Sequence, residues 1–166
     1  GRYDDDVDYI DVTATATSYG DYDEVFNGYL SIVGNSYDLK VSFEDFNYRD
    51  DLYGLNFTTN GGIRYEEDYP IYGTASNAVV KDNQLNQTYM LQNWRSIVDE
   101  NYDPQAVFIS GKVYHSTFGY VSVTTLEPII PDGNGQTGQI VLVGDRSIAW
   151  VTFYSSGYLV EVDVND

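Results

Sequence analysis

Cysteine is missing from all 166 positions of this chain. Its absence excludes disulfide frameworks, thiol nucleophiles, thiolate zinc sites and c-type haem attachment, so the fold rests on packing and hydrogen bonding. Basic residues are few, 8 against 26 acidic ones, and the formal charge is −18. A surface that negative repels phosphate backbones and anionic headgroups, which argues against nucleic acid and lipid surfaces as partners. Apolar runs are short; one of the longest is Ile140, Val141, Leu142 and Val143. A membrane helix needs roughly 20 apolar residues, so no spanning segment is expected, and no signal-peptide core is seen either. Histidine occurs once, at His115, and neither H-E-x-x-H nor G-x-S-x-G is present. Histidine-based metal sites and the common serine triad lose their signatures with them. Gly1 in place of methionine reads as a mature or excised piece, with any targeting segment upstream.

What the chain does have is alternation. Tyr37, Leu39, Val41 and Phe43 alternate with Asp38, Lys40 and Ser42, a period of two that places every apolar group on one face of a strand. The same period runs through Ile10 to Ala16, through Val121 and Val123, and through Val160, Val162 and Val164. Ala149 to Tyr154 offers usable groups to both faces, and Ile140 to Val143 is apolar on both, which suits an interior strand. Aspartates number 19 against 7 glutamates, the balance expected where carboxylates serve turns rather than helix faces. Asn27-Gly28, Asn60-Gly61, Asp132-Gly133 and Asn134-Gly135 are expected to make tight hairpin turns, because both members tolerate positive φ. The polar stretches Glu66 to Tyr72 and Asp99 to Gln105 read as loops. Residues 85 to 98 fit a helix by Leu91, Trp94 and Val98, and equally a strand by Tyr89, Leu91 and Asn93. The expected fold is all-β: an antiparallel β-sandwich, or one large curled antiparallel sheet, of about ten to twelve short strands joined by hairpins. It forms a single domain over 1–166 with an N-terminal arm over 1–18. A faint echo spaces Asn27-Gly28 and Asn60-Gly61 by 33 residues, too few copies for a solenoid.

Gly133, Gly135 and Gly138 match G-x-G-x-x-G, but a strand pattern follows where a dinucleotide site needs a helix N-terminus, so the reading is a hairpin loop. His115 reads as a strand residue rather than a base. Asn56-Phe57-Thr58 and Asn86-Gln87-Thr88 fit the glycosylation sequon, relevant only in a eukaryotic secretory setting. The seventeen tyrosines carry a second reading, since rings pointing outward stack on sugars; Tyr48, Tyr53, Tyr69, Tyr72 and Trp94 are the candidates. Asp4, Asp6, Asp163 and Asp166 belong to carboxylate clusters at the two ends of the sequence. These suit calcium, although neither cluster completes an EF-hand loop. No other cofactor is indicated, and a catalytic carboxylate pair cannot be picked out among so many acids. Asp11-Val12-Thr13-Ala14-Thr15-Ala16-Thr17 has the pattern of a strand that can be lent to a neighbour's sheet edge.

Ile109-Ser110-Gly111-Lys112-Val113-Tyr114-His115, Gly119 to Thr125, Pro128, Gly138 to Gly144 and Val162-Asp163 together resemble uncharacterised secreted lipoproteins of gammaproteobacteria. The resemblance covers a third to a half of the chain. It implies a cell-surface, periplasmic or extracellular location, with anchoring through a lipidated cysteine upstream, and brings no functional residues with it. The functional expectation is a non-catalytic β domain of a bacterial surface protein, serving adhesion, assembly or scaffolding. A carbohydrate-binding module and a filament subunit built by strand exchange stand as alternatives, with glycans, other surface proteins or further copies of the chain as the corresponding partners.

Overall fold

The computed structural model describes residues 12–14, 24–133 and 135–164, and every regular element among them is a strand. They are β1 (Val12–Ala14), β2 (Glu24–Gly34), β3 (Asp38–Asp50), β4 (Leu55–Asp68), β5 (Ile71–Asp82), β6 (Gln87–Asp99), β7 (Ala106–His115), β8 (Gly119–Asp132), β9 (Gly135–Val143), β10 (Ser147–Tyr154) and β11 (Gly157–Val164). All eleven lie in one sheet in chain order, each antiparallel to the next. Side chains alternate along each strand and cross-strand partners share a face, so a meander needs only short turns and a consistent period of two.

Among the described residues the sheet is a single layer. Each strand packs extensively only on its sequence neighbours, and the buried apolar residues among the described ones are few: Ala106, Val123 and Ile129. The large curled sheet is therefore the realised form of the all-β expectation, and the two-layered sandwich is not. The strands are also not short: β3, β4, β6 and β8 run 13 or 14 residues, against about 5 to 6 in ordinary domains. Residues 85 to 98 resolve as strand, with β6 paired to β5 and β7 along its length. Glu66 to Asp68 extend β4 instead of opening a loop, which leaves Tyr69 and Pro70 as the turn.

Two of the four expected hairpin dipeptides are not turns. Asn27-Gly28 lies inside β2 and Asn60-Gly61 inside β4. Their positive φ, 127° at Gly28 and 112° at Gly61, serves distortions in the ladder. Gly28 sits against the backbone of Asp45 and Phe46, and Gly61 against that of Asn77 and Ala78, so close that a Cβ would overlap it. Pairing shifts beside Asp45 on β3 and beside Asn93 on β6, and both residues have φ near 50°. The amide each bulge frees is captured by a neighbouring strand: Asp45 N–H donates to Asn60 Oδ1 on β4 at 2.8 Å, and Asn93 N–H to Asn77 Oδ1 on β5 at 2.8 Å. A line of bulges thus crosses β2 to β7 at mid-height, bending and twisting the strands there. The 33-residue echo is this line met twice, on two strands running the same way.

True turns use aspartate and asparagine as the composition suggested. Asp50 Oδ1 accepts from the N–H groups of Leu52 and Tyr53, Asp82 Oδ1 from Gln84 and Leu85, and Asn35 Oδ1 from Tyr37 and Asp38, at 2.8 to 3.1 Å. Short polar side chains at strand ends thereby satisfy turn amides that no ladder partner reaches. Asp132-Gly133 is a hairpin turn as expected, between β8 and β9; Asn134 is outside the described residues.

Candidate functional site

The register assigns every strand residue to one of two faces. One carries rows such as Leu30, Phe43, Gly61, Ala78, Leu91 and Val113, or Ile32, Val41, Ile63, Ser76 and Trp94, and continues through Val123, Leu142, Ala149 and Val162. Among the described residues carboxylates reach this apolar face only at strand ends: Asp50 and Asp82 close β3 and β5, and Glu67 is one residue from the end of β4. Between those ends no charged side chain lies on it among the described residues. The other, mixed face holds all six basic residues borne by described strands, Lys40, Arg49, Arg64, Lys81, Arg95 and Lys112, together with Asp38, Glu66, Glu161 and Asp163.

On the apolar face an aromatic cluster forms where β2, β3 and β4 meet. Phe26 and Tyr48 have ring centroids 4.9 Å apart, Tyr48 and Phe57 5.1 Å, and Phe43 and Phe46 5.7 Å, all tilted, the geometry that aromatic quadrupoles favour. A second group at the same end of the sheet stacks His115 on Phe118 at 4.6 Å and sets it edge-on to Tyr89 at 4.8 Å. His115 Nδ1 accepts the Thr117 N–H at 3.0 Å, so the lone histidine closes the β7–β8 turn. Asp50, 2% exposed, also receives the Tyr48 hydroxyl at 3.2 Å and ties the aromatic cluster to the β3–β4 turn.

The mixed face is organised by ion pairs. Arg64 clasps Asp38 through Nε at 2.8 Å and Nη2 at 2.6 Å, and reaches Glu66 at 2.8 Å. The two hydrogen bonds from Arg64 hold the Asp38 carboxyl below its usual range, and the two carboxylates raise the guanidinium in turn. On the apolar face the Tyr65 hydroxyl donates to Glu67 at 2.9 Å, which raises the phenol above its ordinary value. Beside the Arg64 clasp an open cleft of about 160 Å³ is floored by Gly73, Ala75 and Ile97, with Glu66 and Asp68 on one side and Arg95 on the other.

The five tyrosine and tryptophan candidates are not brought together. Tyr53 stands in the β3–β4 turn and Tyr69 in the β4–β5 turn, at opposite ends of the 14-residue β4, about 45 Å apart at 3.3 Å per residue. Tyr48 is half-buried in the aromatic cluster, Trp94 lies at mid-height on β6, and Tyr72 sits at the far end with its hydroxyl toward Gln105 Oε1 at 3.4 Å. Asp4, Asp6 and Asp166 lie outside the described residues, as does most of the 1–18 arm. Asp163 is on the mixed face of β11 opposite Ile148. Among the described residues no three His, Asp or Glu side chains gather as metal ligands, and no helix is long and apolar enough to cross a membrane.

The sequence reading missed the uncharged face as a feature in itself. Its signal was present in the alternation of Tyr37 to Phe43, Val121 to Val123 and Val160 to Val164, but alternation assigns a face without saying whether a second layer covers it. Comparison with protein-family models, with curated proteins and with solved structures finds no match.

Proposed function

We propose that the chain is a non-catalytic assembly domain of a bacterial surface protein, working outside the cytoplasm, with the apolar face of the sheet as its docking surface. One observation carries the reading: among the described residues, ten long strands present a continuous face without charge between its ends and without a second layer upon it. Apolar side chains left at a water interface favour association roughly in proportion to the area removed from water. The acid excess complements this arrangement, because carboxylates on the mixed face, in turns and at strand ends keep the chain soluble before assembly. An extracytoplasmic setting accords with the resemblance to secreted lipoproteins.

The two tryptophans make the test direct, since Trp94 is on the apolar face and Trp150, in register with Val141 and Glu161, is on the mixed face. In a Trp150→Phe variant the emission reports Trp94 alone. As concentration rises, or on addition of the surface protein that the domain docks to, that emission should move to shorter wavelength and resist acrylamide. Trp94 emission that stays equally quenchable throughout, while Trp150 in the Trp94→Phe variant becomes protected, overturns the reading.

A further inference from the structure

We infer that β11 is a self-complementary docking edge, through which two copies of the chain join their sheets around a two-fold axis; the inference goes beyond the docking of the apolar face and stands independently of it. Along β11 all eight residues are exposed, Tyr158, Leu159, Val160, Val162 and Val164 among them. Only its β10 side is paired among the described residues. Natural sheets protect such an edge by shortening it, by bulges, by proline or by lysine. β11 has no bulge, proline or lysine, and its only charges are Glu161 and Asp163: its ladder with β10 runs eight pairs from Ser147↔Val164 to Tyr154↔Gly157 without a shift. The opposite edge, β1, is held over three residues.

Charge selects both the partner and the register. A two-fold axis pairs β11 antiparallel with itself, and matching apolar face to apolar face allows only registers in which the two residue numbers sum to an even value. Centring on Glu161 sets Glu161 against Glu161, and centring on Val162 sets Glu161 against Asp163; like charges directly opposite are destabilising. Centring on Val160 sets Val160 against Val160, Tyr158 against Val162, Glu161 against Leu159 and Asp163 against Gly157. It is the longest register that opposes no two acids, and it prolongs the uncharged face from one copy into the next. A strand of unrelated sequence has no reason to match this pattern, whereas the strand itself does.

A chain without cysteine gives a clean background for cross-linking. Under mild oxidation, Val160→Cys should form a covalent dimer, Val162→Cys alone should form little, and Val162→Cys mixed with Tyr158→Cys should cross-link to each other. Leu159→Glu places acid opposite Glu161 twice in the dimer and should weaken association about thirtyfold by sedimentation equilibrium, two lost pairs at the upper end of cross-strand energies. Leu159→Lys should leave association intact or tighten it. Circular dichroism matching the parent chain qualifies each variant as folded. Equal response to Lys and Glu, self-linking strongest at Val162, or a monomer at every concentration overturns the edge. Protection of Trp94 without any β11 cross-link rejects the edge and leaves the assembly reading standing; cross-linking at Val160 with Trp94 exposed does the reverse.

Discussion

The sheet is built in two manners. From β2 to β7 it is interrupted by bulges at Asp45 and Asn93, clasped by Asn60 and Asn77, braced by the Phe26, Tyr48 and Phe57 rings, and studded with cations on its mixed face. From β9 to β11 the ladders run unbroken, β9 and β10 carry no charged residue at all, and apolar groups such as Val141 and Trp150 occupy the mixed face as well. The first region owes its form to residues that favour positive φ and to side chains that catch displaced amides. The second is a regular aliphatic ribbon whose alternation continues to β11, the last strand of the sheet among the described residues. A bulge breaks the flat register that another strand needs, so the irregular region resists addition of strands while the regular one invites it.

The contrast is most sharply broken at Gly61. Gly61→Val puts a branched side chain at positive φ and into the Asn77 backbone, and should cost about 3 kcal/mol, seen as a lowered urea midpoint. Gly133→Asn, at a turn where a Cβ meets nothing within 4 Å, should cost far less, since asparagine tolerates the left-handed region. A smaller loss follows Asp50→Ala, which strips the Leu52 and Tyr53 amides and the Tyr48 hydroxyl of their acceptor. About 2 kcal/mol is expected in the same measurement, with the near-ultraviolet signal of the aromatic cluster reduced. The smallest effect is electrostatic. Because Arg64 lowers the Asp38 pKa on folding, their clasp stabilises the sheet above the ordinary aspartate range, and that contribution disappears as pH falls through the lowered value. Urea midpoints of the parent and Asp38→Asn should differ slightly at pH 7 and converge in acid; a gap that widens in acid contradicts the clasp.

The asparagine–glycine pairs show where sequence reading reaches its limit. Asn27-Gly28 and Asn60-Gly61 announce positive φ correctly, but a turn and a bulge make the same demand on the backbone, and only the partner strand distinguishes them. Residues 85 to 98 were ambiguous for a similar reason: Leu91, Trp94 and Val98 lie at helical spacing because the bulge at Asn93 inserts one residue into a strand. Among the candidate aromatics, outward placement held for Tyr53 and Tyr69, whereas Tyr48 turned inward to a cluster whose other members, Phe26 and Phe57, sit on different strands.

The amino acids alone settled that the chain is all-β, that its apolar groups share a face within each strand, and that aspartate serves the turns, because periods of two and local hydrogen bonds act over a few residues. Tertiary structure decided that, among the described residues, these strands form one layer in chain order, that Asn27-Gly28 and Asn60-Gly61 fall in mid-strand, and that β11 lies at the margin of the sheet. Those outcomes depend on which strand lies beside which, and pairing between distant segments is set by the whole sheet at once rather than by any window of sequence.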